Sequence, residues 1–219
     1  MLDEKYISQI VENVLSEMGA QTNDTRQLGV FDEMSDALAA VSKAYKEFRS
    51  YTVAQREKMI SKIREYTLKN AAKLAEMGVE ETGMGRVEDK TIKHQLVAEK
   101  TPGTEDLKPS VWTGDDGLTL IEMAPFGIIG SITPSTNPSE TVICNSMGMI
   151  AGGNAVVFNP HPNAKKTSNA AVDMVNRAIL EAGGPENLVV SVKNPTMKSS
   201  DEMVKSPLVK MLVATGGPG

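Results

Sequence analysis

Between Met123 and Ala164 the chain carries one formal charge, Glu140. So uncharged a stretch belongs inside a protein or a membrane, because apolar surface gains roughly 25 cal/mol per Å² on leaving water. A spanning helix needs about 20 consecutive apolar residues. Pro125, Pro134, Pro138, Gly148, Gly152 and Gly153 interrupt the run well before that. A buried α/β core is the remaining solution. Strand-like runs alternate with helical ones across it: Leu118–Glu122, Gly127–Ile132, Ala155–Phe158, Leu188–Val192 and Val209–Ala214 read as strands. Helical spacing covers Glu140–Ile150, Ala164–Ala182 and Ser199–Lys205. Such alternation predicts right-handed crossovers and a parallel sheet over residues 118–219. Ligands of such sheets bind outside the carboxyl ends of the strands. The loops to watch are therefore Thr133–Ser139, Asn159–Asn163, Lys193–Lys198 and Thr215–Gly219.

Composition removes other classes. At 219 residues, 40% hydrophobic and 23% charged, the chain has ample material for a core and is not disordered. A net charge of −5 leaves no footprint for nucleic acid. One cysteine and two histidines allow no internal disulfide and make a poor set of metal ligands. The chain reads as cytoplasmic.

Ahead of the core, Ile7, Ile10, Val11, Val14, Leu15 and Met18 recur at the spacing of one helical face, and Gly19 stands where such a helix would stop. Residues 19–29 are polar and aperiodic, as a linker would be. The stripe suits packing on its own domain or docking into a groove of another protein. Its acidic polar face disfavours anionic lipid. Residues 30–117 read as helices and a connector. Asp32 is placed to cap a first helix, Thr52 and Gln55 form a capping box for a second running to about Met77 before Gly78, and Val87–Lys100 is a third. Residues 101–117 read as loop. His94 has no partner at ligand spacing and reads as structural or surface-exposed.

No G-x-G-x-x-G or Walker lysine motif follows any strand. The glycine-rich turn Thr215-Gly216-Gly217 does follow one, and its bare backbone could approach a pyrophosphate. Cys144 sits in a helical run without a basic neighbour in sequence and reads as a structural thiol.

Three segments together, APFGIIGSITPSTNPSE (124–140), AGGNAVVFNPHPNAKKTS (151–168) and LVATGGPG (212–219), resemble the aldehyde dehydrogenase superfamily in its coenzyme A-acylating branch. ETGMGRVEDKTIKH (81–94) is similar too. The N-terminal stripe and linker resemble the encapsulation extensions of such enzymes in bacterial microcompartments. The resemblance implies a Rossmann-like cofactor domain and NAD-dependent oxidation of a short-chain aldehyde. A cysteine thiolate adds to the aldehyde, hydride passes to NAD+, and coenzyme A takes the acyl group from the thioester. It also implies a homo-oligomer when intact, and a shell-protein partner for Ile7, Ile10, Val11, Val14 and Leu15. In that family the nucleophile lies in a second domain. The chain is thus expected to be a truncated N-terminal part, inactive alone; a non-catalytic targeting or nucleotide-binding module is the alternative.

Residue by residue, Asn137 resembles the superfamily's oxyanion-stabilising asparagine. Non-acylating relatives write P-x-N-x-P, however, and that position here is Thr136, so both residues stand as candidates beside a plain turn role for Asn137. Thr133 and Pro134 begin the same loop. Thr215, Gly216 and Gly217 match the turn facing the pyrophosphate. Asn159, Pro160 and His161 replace a region where non-acylating relatives carry a lysine and a glutamate toward the ribose. The adenosine site is therefore expected to admit coenzyme A as well as NAD. Pro195 and Thr196 are candidates for the adenine wall.

Overall fold

The computed structural model describes residues 27–216. The Ile7–Met18 stripe, the linker before Gln27, and Gly217 lie outside them. The described chain contains strands β1 (Val30–Phe31), β2 (Ser110–Gly114), β3 (Gly117–Ile121), β4 (Ile128–Thr133), β5 (Ala155–Pro160), β6 (Val189–Val192) and β7 (Val209–Ala214). Its helices are α1 (Met34–Phe48), α2 (Val53–Thr82), α3 (Val87–Lys100), α4 (Pro138–Ala151), α5 (Lys165–Glu181) and α6 (Met197–Lys205).

Five strands form one parallel sheet in the order β1-β6-β5-β4-β7. β5 and β6 are buried along their whole length, which is why they read as continuous apolar runs instead of alternating ones. From β4 the chain steps to β5 and β6 in one direction, then jumps back across β4 to β7. Right-handed crossovers put α4 and α5 on one face and α6, beside α1, on the other. α2 and α3 form an outer layer over α4 and α5. Met59, Ile60, Ile63 and Leu74 of α2 join Ile143, Ile150, Phe158 and Ile179 in one core.

Several boundaries differ from the expectations. Thr52 and Gln55 do form the capping box of α2. Asp32 does not cap α1; Glu33 holds that position without a side-chain hydrogen bond. Gly78 does not end α2; it is buried within the helix, where it packs beside Thr167 and Lys90. The helix runs on to Gly83, which takes the left-handed conformation that glycine tolerates best. Gln27–Gly29 pack on the domain and do not belong to a linker. The Leu28 amide donates to Asp173 Oδ1 at 2.8 Å, and Gly29 adopts φ +75 where a Cβ would strike Asn176 and the Val189 carbonyl. Ser110–Gly114, read as loop, pairs antiparallel with β3, so the expected strand at Leu118 belongs to a separate hairpin and not to the parallel sheet. Val111, Trp112, Leu118, Leu120 and Ile121 are exposed on that hairpin.

Candidate functional site

The reversal of strand order at β4 opens a crevice between the carboxyl ends of β4 and β7, the position where open α/β sheets bind their ligands. The loop Thr133–Asn137 leaves β4 there, and Thr215–Gly216 leaves β7. The Thr215 amide donates to the Ile132 carbonyl at 3.0 Å, which holds the two strand ends together. A side chain added at Gly216 would meet Pro134 Cβ at 4.0 Å. Gly216, with no side chain, therefore leaves backbone facing Pro134 on the β7 side. Thr133 is buried, and its Oγ1 has no hydrogen-bond partner among the described residues. A buried hydroxyl left without a partner is costly and fits a site where a ligand or water supplies the bond.

Thr136 and Asn137 take different surroundings. Thr136 is exposed, and its carbonyl accepts from Lys90 Nζ at 2.8 Å. Asn137 is half-buried at the N-cap of α4 but makes no side-chain cap. Its Oδ1 accepts from Lys93 Nζ at 3.3 Å, leaving the amide NH2 as the free end of the side chain. Its carbonyl accepts from both the amide and the hydroxyl of Thr141, at 3.1 and 2.7 Å.

The loops after β5 and β6 lie on the other side of β4. The His161 amide donates to the Thr133 carbonyl at 3.1 Å, tying this loop to the crevice. His161 is exposed, and its Nδ1 accepts from the Asn163 amide at 3.1 Å, so in the neutral ring Nε2 carries the proton. Asn159 is buried and its Oδ1 accepts from Ser199 Oγ at 2.7 Å; Ser199 in turn forms a capping box with Thr196 at the start of α6. Pro160 and Pro195 are buried as well. Asn159 and Pro160, expected in the loop, are instead the buried last residues of β5, and Pro195 is buried after β6, while His161 and Thr196 reach the surface.

Position along the chain does not reveal Glu81. From the last turn of α2 its carboxylate accepts from the amides of Lys166 and Thr167, at 2.8 and 2.7 Å, and from Thr167 Oγ1 at 2.7 Å. It fills the positive end of α5, where a phosphate could otherwise bind.

Lys90 and Glu140 were also hidden. They meet at 3.3 Å with side chains 4% and 6% exposed. His94, read as structural or surface-exposed, is fully buried between the Lys90 carbonyl (2.7 Å from Nδ1) and Ser139 Oγ (2.8 Å from Nε2). Burial pushes its imidazole below the ordinary histidine range, against the pull of Glu140. The isolated charge in an uncharged stretch was the one sequence signal for this cluster. Cys144 is half-buried in α4, about two turns from Asn137. Among the described residues no group of three His, Cys, Asp or Glu is placed to hold a metal ion, and no helix is long and apolar enough to cross a membrane.

A parallel sheet with its strand reversal at β4, helices α2 and α3 outside it and a turn at Gly216 after β7 define an open, parallel-sheet α/β domain. The chain belongs to the aldehyde dehydrogenase family, whose sequence model matches residues 13–219. It is 49% identical over 221 residues to the acetylating acetaldehyde dehydrogenase of Escherichia coli (strain K12), covering 99% of this chain and 46% of that protein. A propionaldehyde dehydrogenase from the Clostridium phytofermentans fucose utilisation bacterial microcompartment is 58% identical, with a TM-score of 0.85 over 87% of this chain and 44% of its own. The Rhodopseudomonas palustris propionaldehyde dehydrogenase, solved with bound propionyl-CoA, is 47% identical with a TM-score of 0.84, over 89% of this chain and 44% of its own. The chain spans about half the length of these relatives.

Proposed function

We propose that this chain supplies the dinucleotide-binding and oxyanion-stabilising part of an NAD-dependent, CoA-acylating aldehyde dehydrogenase for short-chain aldehydes. The observation that carries the reading is the strand reversal, where the Thr215–Gly216 turn leaving β7 faces the Thr133–Asn137 loop leaving β4 and is tied to that strand end by the Thr215 amide on the Ile132 carbonyl. NAD+ held there would supply the hydride acceptor for the substrate carbon. The glycine turn after β7 lets backbone approach the pyrophosphate. The Asn137 NH2, its oxygen held by Lys93, donates to the substrate oxygen as negative charge develops on it. Cys144 stays a structural thiol, and the thiolate nucleophile comes from outside these residues.

The same adenosine end takes the nucleotide of coenzyme A in turn. Asn159, Pro160 and His161 offer no charged ribose clamp, and His161 Nε2–H is the polar group that reaches solvent there. Saturable NAD+ binding to this chain, displaced by coenzyme A in a calorimetric titration, is the expected result; independent binding of both would refute a shared site.

The Ile7, Ile10, Val11, Val14 and Leu15 stripe docks on a microcompartment shell protein, and the exposed apolar hairpin β2–β3 supports self-association of the intact enzyme. The relative from a fucose utilisation microcompartment favours this reading. Deleting residues 1–18 is expected to abolish co-sedimentation with shell protein while leaving NAD+ affinity and the number of subunits per oligomer unchanged. Loss of folding on that deletion would return the stripe to the domain's own core.

A further inference from the structure

Glu140 is the one charge between Met123 and Ala164, and it is buried. Lys90, its partner, is equally buried and comes from a helix of the outer layer. Removing two charges from water costs several kcal/mol per ion, and their mutual attraction recovers it only with good additional hydrogen bonds. A pair of apolar residues would fill the same space more cheaply. The pair therefore needs a reason beyond stability.

The distances supply one. Lys90 Nζ is closer to the Thr136 carbonyl, at 2.8 Å, than to Glu140 Oε1, at 3.3 Å. The ammonium is anchored by the carboxylate and directed at the backbone of the crevice loop. His94 reinforces the arrangement. A carbonyl can only accept, so Nδ1 carries the ring proton toward the Lys90 carbonyl, and Nε2 of the neutral ring accepts from Ser139 Oγ. That fixes the first turn of α4 against α3. One turn further along α3, Lys93 holds Asn137 Oδ1 at 3.3 Å. Two consecutive residues of the loop, Thr136 by its carbonyl and Asn137 by its amide oxygen, are thus gripped from the same helix.

We infer that Lys90 and Glu140 are a positioning pair: Glu140 holds the Lys90 ammonium on the Thr136 carbonyl, and this grip sets the direction in which Asn137 presents its NH2 to the crevice. The inference rests on the role of Asn137 proposed above, but its test reads loop order and not turnover, so either can fail alone.

The test uses nitrogen-15 relaxation and thermal unfolding of this chain with two variants. Lys90→Met leaves Glu140 buried without its partner and is expected to lower the unfolding midpoint by roughly 10 °C. Lys90→Met/Glu140→Gln removes both charges and is expected to unfold within about 3 °C of the parent. In this double variant the backbone order parameters of Thr136 and Asn137 are expected to fall from about 0.85 to below about 0.6, while those of Ile129–Ile132 stay near 0.85. The Asn137 side-chain amide resonance shifts with them. Order parameters that stay high at Thr136 and Asn137, or that fall equally in β4, would overturn the inference. So would a double variant that fails to fold, since the pair would then serve the fold and not the loop.

Discussion

Asn137→Ala is expected to lower kcat by roughly 10²–10³-fold, the usual cost of losing one oxyanion donor. The setting is a chimera in which residues 1–219 replace the matching segment of the Escherichia coli acetaldehyde dehydrogenase, assayed for acetyl-CoA formation from acetaldehyde, NAD+ and coenzyme A. Thr136→Ala is expected to change kcat by less than about threefold, because no donor to the transition state is lost. The contrast follows from the two residues' surroundings. Thr136 contributes its carbonyl, which an alanine keeps, to Lys90. Asn137 contributes a side chain whose oxygen is engaged by Lys93, so that its NH2 is the donor left to act. A large loss for Thr136→Ala with a small one for Asn137→Ala would transfer the oxyanion role to Thr136.

Phe158→Ala is expected to destabilise the chain by about 3–5 kcal/mol, the range for deleting a buried aromatic ring. Phe158 is fully buried in β5, pairing with Ser131 of β4 on one side and Ser191 of β6 on the other. Little there can collapse into the space left, since both neighbouring strands are fixed by the ladder. Against a total stability of about 5–15 kcal/mol the loss is large, and urea denaturation would show it as a lower midpoint at unchanged slope. A loss below about 1 kcal/mol would mean that Phe158 is not in a close-packed core.

Most of the parallel sheet was legible because β4, β5 and β6 are buried on both faces. GIIGSI, AVVF and LVVSV stand out as apolar runs between helical ones, and β7, though largely exposed, is apolar enough in composition to fall on the expected Val209–Ala214. Strands that are very short or lack such a run carry no such mark. β1 has two residues, too few for any periodicity, and β2 is exposed throughout, with a composition that reads as loop. Strand order is a further matter. Alternation implies a sheet, but whether β7 joins beside β4 or beyond β6 depends on packing across the faces, and the crevice exists only because it joins beside β4.

Candidate site residues divide the same way. The loops at the strand ends could be named from the sequence, as could Thr133, Pro134, Thr136, Asn137, Thr215 and Gly216 within them. Their supports could not. Lys90 and Lys93 reach the loop across more than forty positions of chain, and Glu81 reaches α5 across more than eighty. Helical spacing displays neighbours three or four residues apart and is silent on such contacts. Asn159 closes β5 and Pro195 follows β6, and both are buried, because a position read from spacing does not say which way a side chain turns.

Calorimetric titration of this chain with NAD+, repeated in the presence of coenzyme A, tests the central claim most directly. The crevice between β4 and β7 predicts one saturable site for NAD+, with binding heat that diminishes as coenzyme A is added. A folded chain that binds neither ligand, or binds both at once without interference, would contradict it.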